Sequence, residues 1–170
     1  GALGRPWRTP ALLAAALGSV AFVGVGVAAL GSDPISAAAG AVLGFVPFDV
    51  RYDGLSAPFV VALGVVGVAA SVYAIGYHDG VRSRVDGVAL PVFLASLGVV
   101  FGADDGFAFL LAWELMAVSS AWLVFGPSPT RAVARNGYIY VALTHVATAA
   151  LVIAFALLGS AAGSLDFDAI

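Results

Sequence analysis

The sequence predicts an all-α polytopic membrane bundle of five spans, with its N-terminus inside and its C-terminus outside. Three observations carry this. The 170 residues are 62% hydrophobic and 10% charged, whereas a soluble domain is about 25% charged. Apolar runs of spanning length, about 17–25 residues, recur along the chain. The cations, all arginine, fall almost entirely in alternate loops, as the positive-inside rule requires.

Residues 11–30 form the first span, behind Arg5 and Arg8. A secretory leader is the competing reading, but the apolar region is longer than the usual stretch of about 7–15 residues. Residues 35–48 are apolar but short and interrupted by Gly40, Gly44 and Pro47, which suits a re-entrant or interfacial segment. Residues 55–77 are the second span. Asp53-Gly54-Leu55-Ser56 opens it with residues that cap helix starts, and His78-Asp79 closes it as a solvated loop. Residues 88–102 are shorter and span if their polar ends snorkel or the bilayer thins. Residues 106–125 follow Asp104-Asp105, two carboxylates that suit the positive end of a helix dipole. Residues 137–159 are the last span. The tail, 160–170, has turn-forming residues and two aspartates but no closing element.

Five spans place Arg5, Arg8, Arg82, Arg84, Arg131 and Arg135 inside and leave Arg51 as the exception, beside Asp33, Asp49 and Asp53. Making 35–48 a sixth span would move four arginines outside, so five is preferred. The whole of 1–170 reads as one transmembrane domain of a multi-pass protein in the cell (inner) membrane. It opens on Gly1 rather than Met, so its N-terminus reads as missing or processed.

Several function classes drop out. A net charge of −3 gives no footprint for nucleic acid. Without cysteine there are no disulfides, thiolate nucleophiles or cysteine metal sites. No phosphate-binding loop, metal-ligand cluster or nucleophile–base set is present, so no catalytic, metal or cofactor residue is assigned. Gly24-x-Gly26 lies inside a span and serves packing. The Gly, Ala and Ser content of the spans predicts close helix packing, since lipid supplies no hydrophobic drive for association.

Glu114 is the one glutamate, and it lies mid-way along 106–125. A carboxylate at mid-membrane depth costs roughly 2.5–3.5 kcal/mol on insertion scales and is a functional-site hypothesis by default. Desolvation favours the neutral form of a carboxyl, which is how such a group comes to exchange protons near neutral pH. On a helix Glu114 shares a face with Phe107, Leu110, Leu111, Ala117, Val118 and Ala121, which offers neither cation nor hydroxyl. Its partner must come from elsewhere. One reading is a proton relay; the other is a neutral glutamate bonded to a carbonyl as interhelix glue.

His145 lies in the last span, and histidine is the side chain whose ordinary pKa lies nearest neutral. It shares a face with Thr148 and Tyr138, and Tyr140, Thr144 and Thr148 form an adjacent polar edge. This stripe lines a hydrated path, or His145 is a neutral histidine bonded to a threonine or a carbonyl. With both spans centred, Glu114 and His145 differ in depth by roughly 7 Å, which places water between them rather than direct contact. Asp104 and Asp105 serve best as helix starters.

Three stretches carry a resemblance: Val50-Arg-Tyr-Asp-Gly-Leu-Ser-Ala57; Ser71-Val-Tyr-Ala-Ile-Gly-Tyr77; and Phe109-Leu-Leu-Ala-Trp-Glu-Leu-Met116 with Ser119-Ser120. From about Arg51 onward the chain resembles the antiporter-like membrane subunits of respiratory complex I, Mrp cation/proton antiporters and energy-converting hydrogenases. With Tyr138–Gly159 and Gly163-Ser-Leu-Asp-Phe167 it is most similar to the B component of hydrogenase-4 and formate hydrogenlyase membrane arms. The resemblance implies that Glu114 is a proton-channel residue working with a lysine on the seventh helix, and that Asp104 and His145 occupy family positions. It implies a short non-spanning hairpin before the Asp-Gly-Leu-Ser segment. It also implies that this chain holds helices two to six of a larger subunit, with the lysine beyond Ile170.

The expected function is therefore a proton-carrying membrane subunit driven by redox chemistry elsewhere, not catalytic alone. Its partners would be other membrane and redox subunits, protons or sodium, and the bilayer. Glu114 and His145 would be the relay, with Asp104, Tyr138, Thr144 and Thr148 along the path. A sodium/proton antiporter subunit and a structural anchor of a hydrogenase or dehydrogenase are the alternatives. A quinone enzyme is a third, for which no headgroup site is identified.

Overall fold

The computed structural model describes residues 7–31, 33–42, 46–77, 83–125 and 130–170. Arg5, Arg82 and the His78-Asp79 loop lie outside them. Among the described residues five helices and one hairpin follow in order: α1 (Arg8–Ala29), β1 (Ile35–Val42), β2 (Val46–Tyr52), α2 (Ala57–Gly76), α3 (Ser83–Gly102), α4 (Gly106–Phe125) and α5 (Arg131–Ala162). Among the described residues α1, α2, α4 and α5 are long and apolar enough to cross a membrane. The apolar part of α3, Gly87–Gly102, is shorter. The chain is thus a mostly helical multi-pass membrane protein.

The expected helix limits hold at 106–125 and within a few residues for the first two spans. The last helix is longer than 137–159, starting at Arg131 and running to Ala162. Hydropathy marks the apolar middle of a helix and not its ends. Here Thr130 accepts from the Val133 amide at 3.3 Å and starts the helix early. Gly163, at φ 78°, ends it in a left-handed conformation that glycine adopts without strain.

The segment expected to be short and non-spanning is an antiparallel hairpin, with Ile35 opposite Tyr52 and an irregularity between Ala38 and Ala41. The alternation Val46-x-Phe48-x-Val50-x-Tyr52 is the period-two signal of a half-buried strand. Tyr52 is the buried end of that row. Its hydroxyl donates to the Gly98 carbonyl at 3.0 Å, and burial pushes its phenol pKa up. It joins Ala29, Ala57 and Val60 in a small core backed by Phe22, Val25, Ile35 and Phe101.

Helices α1, α2 and α3 pack mutually, α4 packs on α3, and α5 on α4. Small residues set the closest contact, where Gly26 and Gly64 let α1 and α2 touch backbone to backbone. At the far end from the hairpin, buried Arg8 donates from Nη2 to the carbonyls of Ala74 and, at 3.0 Å, Tyr77. A cation here satisfies the last carbonyls of α2 and opposes its dipole. Arg8→Met removes these bonds at a cost of roughly 1.5 kcal/mol, which a thermal melt of the purified protein should show as a lowered Tm.

Candidate functional site

Glu114 on α4 and His145 on α5 face each other, with Glu114 Oε2 3.9 Å from His145 Nε2. This corrects the expected separation. The early start of α5 and its later end together move its midpoint to between residues 146 and 147. The depth offset from Glu114 then falls to about 4.5 Å, which two long side chains span. The contact is too long for a hydrogen bond and close enough for an ion pair when the imidazole is charged.

The histidine is oriented by its own helix. Its Nδ1 lies 2.9 Å from the Val141 carbonyl oxygen. A carbonyl only accepts, so Nδ1 carries a proton and Nε2 is left to face the carboxyl. The ring thus presents its second nitrogen to the Glu114 carboxyl across a 3.9 Å gap. Glu114 Oε1 and the neighbouring Trp113 Nε1 are buried with no hydrogen-bond partner among the described residues. One carboxyl oxygen therefore faces His145 without a hydrogen bond, and the other is buried without one.

The other expected residues are distributed unevenly. Thr148 is buried on α5 and donates to the Thr144 carbonyl at 3.1 Å; Thr144 donates to the Val141 carbonyl at 2.9 Å. Both hydroxyls keep lone pairs free to accept. Tyr138 is 74% exposed and does not turn toward α4. Tyr140 does, with its hydroxyl 2.7 Å from Ser120 Oγ. Ser120 Oγ also donates to the Ala117 carbonyl at 2.9 Å, so Tyr140 is the donor in that pair. This hydroxyl rung between α4 and α5 had a sequence signal in the Ser119-Ser120 pair and the polar edge containing Tyr140. Among the described residues no three His, Asp or Glu side chains converge as a metal site.

The hairpin end fixes how α5 lies on α4. The tail crosses the α3–α4 turn, where the Gly106 amide donates to Leu165 at 2.9 Å and the Phe167 amide to Asp104 at 3.1 Å. Phe167 and Phe155 stack 5.8 Å apart and meet Phe109, which stacks on Trp113, next to Glu114. Asp105 Oδ1 accepts from the Phe107 and Ala108 amides at 2.8 Å each and starts α4. Asp104 pairs instead with Arg51, at 3.3 Å. Arg51 also grips Asp168 through both terminal nitrogens, at 2.8 and 2.9 Å. The exceptional arginine of the charge pattern is thus paired with carboxylates.

Those carboxylates carry a pH dependence. The Arg51 guanidinium holds the Asp168 carboxyl below its usual range. The Ser56 and Leu55 amides do the same for Asp53. Groups with a depressed folded pKa stabilise the fold above their unfolded value and lose that contribution as pH falls through the folded one. Amide protection at Gly106 and Phe167 should therefore be flat from about pH 6 to 8 and fall below about pH 4. Added salt should lower it too, because the pairs are exposed.

No protein-family model matches the chain. Hydrogenase-4 component B of Escherichia coli (strain K12) is 30% identical over 126 residues, which are 72% of this chain and 19% of that protein. NADH-ubiquinone oxidoreductase chain 5 of Candida albicans is 24% identical over 127 residues, 74% of this chain and 23% of that one. A chain of the membrane-bound sulfane sulfur reductase, an archaeal respiratory membrane complex, shares the fold. Its TM-score is 0.75 at 19% identity, over 98% of this chain and 34% of the other. This chain belongs to the antiporter-like membrane subunits. It spans about a fifth to a quarter of the length of these two curated relatives. Within the antiporter-like subunit, α4 and α5 are the helices that bring Glu114 and His145 together.

Proposed function

We propose that the chain provides part of a proton channel in the membrane arm of a redox-driven, hydrogenase-4- or complex I-like assembly. The observation that carries this is the mid-helix Glu114 carboxyl 3.9 Å from an imidazole nitrogen whose ring is held by its other nitrogen. Glu114 is the central relay and His145 its lateral partner. Thr144 and Thr148 offer acceptors along α5, and Asp104 stands toward the hairpin end. Tyr138, on an exposed face, extends the path only through water or a neighbouring chain. The proposed topology has five spans, α3 among them, with the N-terminus inside and the C-terminus outside. The five helices correspond to helices two to six of a larger subunit in the cell membrane, with other membrane and redox subunits as partners.

The relatives support the general kind of protein, and the geometry supports the role of the pair. The test is proton translocation by vesicles bearing the assembled complex with Glu114→Gln. Lost translocation with intact assembly supports the channel, and retained translocation overturns it. Lost assembly would favour the structural-anchor reading. A sodium-dependent pH gradient without electron donor would favour the antiporter.

A further inference from the structure

A cavity of about 410 Å³ opens at the hairpin end between the start of α2, the end of α3, the start of α4 and the tail. Its lining divides by chemistry. Arg51, Asp53 and Asp104 form one half, and Phe59, Phe101 and Phe109 the other. The polar residues stand where the helices begin or end. The aromatic ones lie within the adjoining first or last turn of α2, α3 and α4. That order, charge at the rim and apolar surface beneath, is the order of a lipid headgroup above its acyl chains. The apolar half also opens sideways, since Leu55 and Phe59 are 78% and 54% exposed.

Charge decides which headgroup fits. Arg51 is already engaged by Asp168 and Asp104, and Asp53 stands beside it on the rim. One guanidinium thus pairs with two carboxylates, and a third, held by the Leu55 and Ser56 amides, lies nearby. Asp49, Asp105 and Asp166 line the adjoining cavity and deepen the negative field. An extra anion is disfavoured here and a cation is drawn in. Phe59 and Phe101, stacked at 5.7 Å, offer aromatic faces to a cation from below.

We propose that this cavity seats the headgroup of an amine-bearing phospholipid, with its ammonium among the rim carboxylates and its first methylenes on Phe59 and Phe101. The lipid phosphate stays at the water side. The site is independent of the Glu114–His145 pair and does not rest on the channel reading.

Native mass spectrometry of the purified protein with phosphatidylethanolamine and phosphatidylglycerol of distinct mass tests it. The expected result is retention of the ethanolamine lipid with at least about fivefold tighter binding. Asp104→Asn and Phe59→Ala should each lower retention of the ethanolamine lipid. Phe59 is largely exposed, so its variant keeps the test decisive if Asp104→Asn loosens the Arg51 contacts. Equal retention of both lipids overturns the proposal, as does ethanolamine-lipid retention unchanged in Phe59→Ala. Retention of neither lipid, expected if a protein neighbour fills the cavity, overturns it too.

Discussion

Glu114→Gln should lower proton translocation by at least about tenfold, equivalent to ~1.4 kcal/mol on the limiting barrier, while leaving the amount of assembled protein unchanged. The substitution is nearly isosteric and keeps one acceptor and adds a donor, so α4 and α5 should pack as before. What it removes is the carboxyl that faces His145 Nε2, and an amide cannot exchange a proton in its place. His145→Gln should have a smaller effect, because the imidazole is 57% exposed and water can take its place. The double variant then separates the readings. If the two groups act as a unit, it should be no slower than Glu114→Gln alone, since groups that act together are non-additive. Additive losses would mean that each group acts alone, against the relay drawn here. Vesicle acidification with a pH-sensitive dye, normalised to subunit content, measures all three.

Much of this arrangement is legible in the sequence, and the limits have physical causes. Glu114 stands out because a lone carboxylate in an apolar run has a large transfer penalty, and that penalty is local information. Residues 106–125 read correctly because Asp105 starts that helix at the point where the apolar run begins. Residues 137–159 read short because Arg131 and Arg135 are polar yet good helix formers, so helix and apolar stretch do not coincide. That error, six residues at the start and three at the end, made the Glu114–His145 contact look too far apart. The sequence marks the hairpin as a non-spanning segment but not as strands, although Val46 to Tyr52 alternates, because Gly40, Gly44 and Pro47 break its apolar stretch and mask the period of two. The Arg51 contacts could not be read at all. Asp168 lies 117 residues away, and nothing local ties an arginine before one helix to a tail after another. Tyr140 and Ser120 are intermediate: both were visible as polar residues in apolar helices, but which tyrosine faces α4 depends on how α5 rotates.

Gly64→Leu should be among the most damaging single changes outside the site, costing about 3 kcal/mol or more. A Cβ at Gly64 would fall 2.6 Å from the Ser19 carbonyl oxygen and 2.8 Å from the Val23 amide nitrogen. Both are backbone atoms of α1, so no side chain can rotate away and the helices must separate. Separation breaks the neighbouring contact as well, where Gly26 lies so close to α2 that a Cβ would meet the Ala57 carbonyl oxygen at 2.9 Å. Gly18→Ala and Gly24→Ala provide the control, because a Cβ at either position meets nothing within 4 Å. These two should be neutral or slightly stabilising, since alanine is the better helix former. Sensitivity at Gly64 with tolerance at Gly18 and Gly24 would show that glycine serves close approach here and not flexibility. Equal sensitivity at all three would refute the α1–α2 packing. The same measurement separates fold from function: Gly64→Leu should reduce the folded protein recovered, whereas Glu114→Gln should leave the yield intact and remove only the proton flux. Because α3 rests on the α1–α2 pair and carries α4 in turn, loss of the Gly64 contact should reach Glu114 only through loss of the whole bundle.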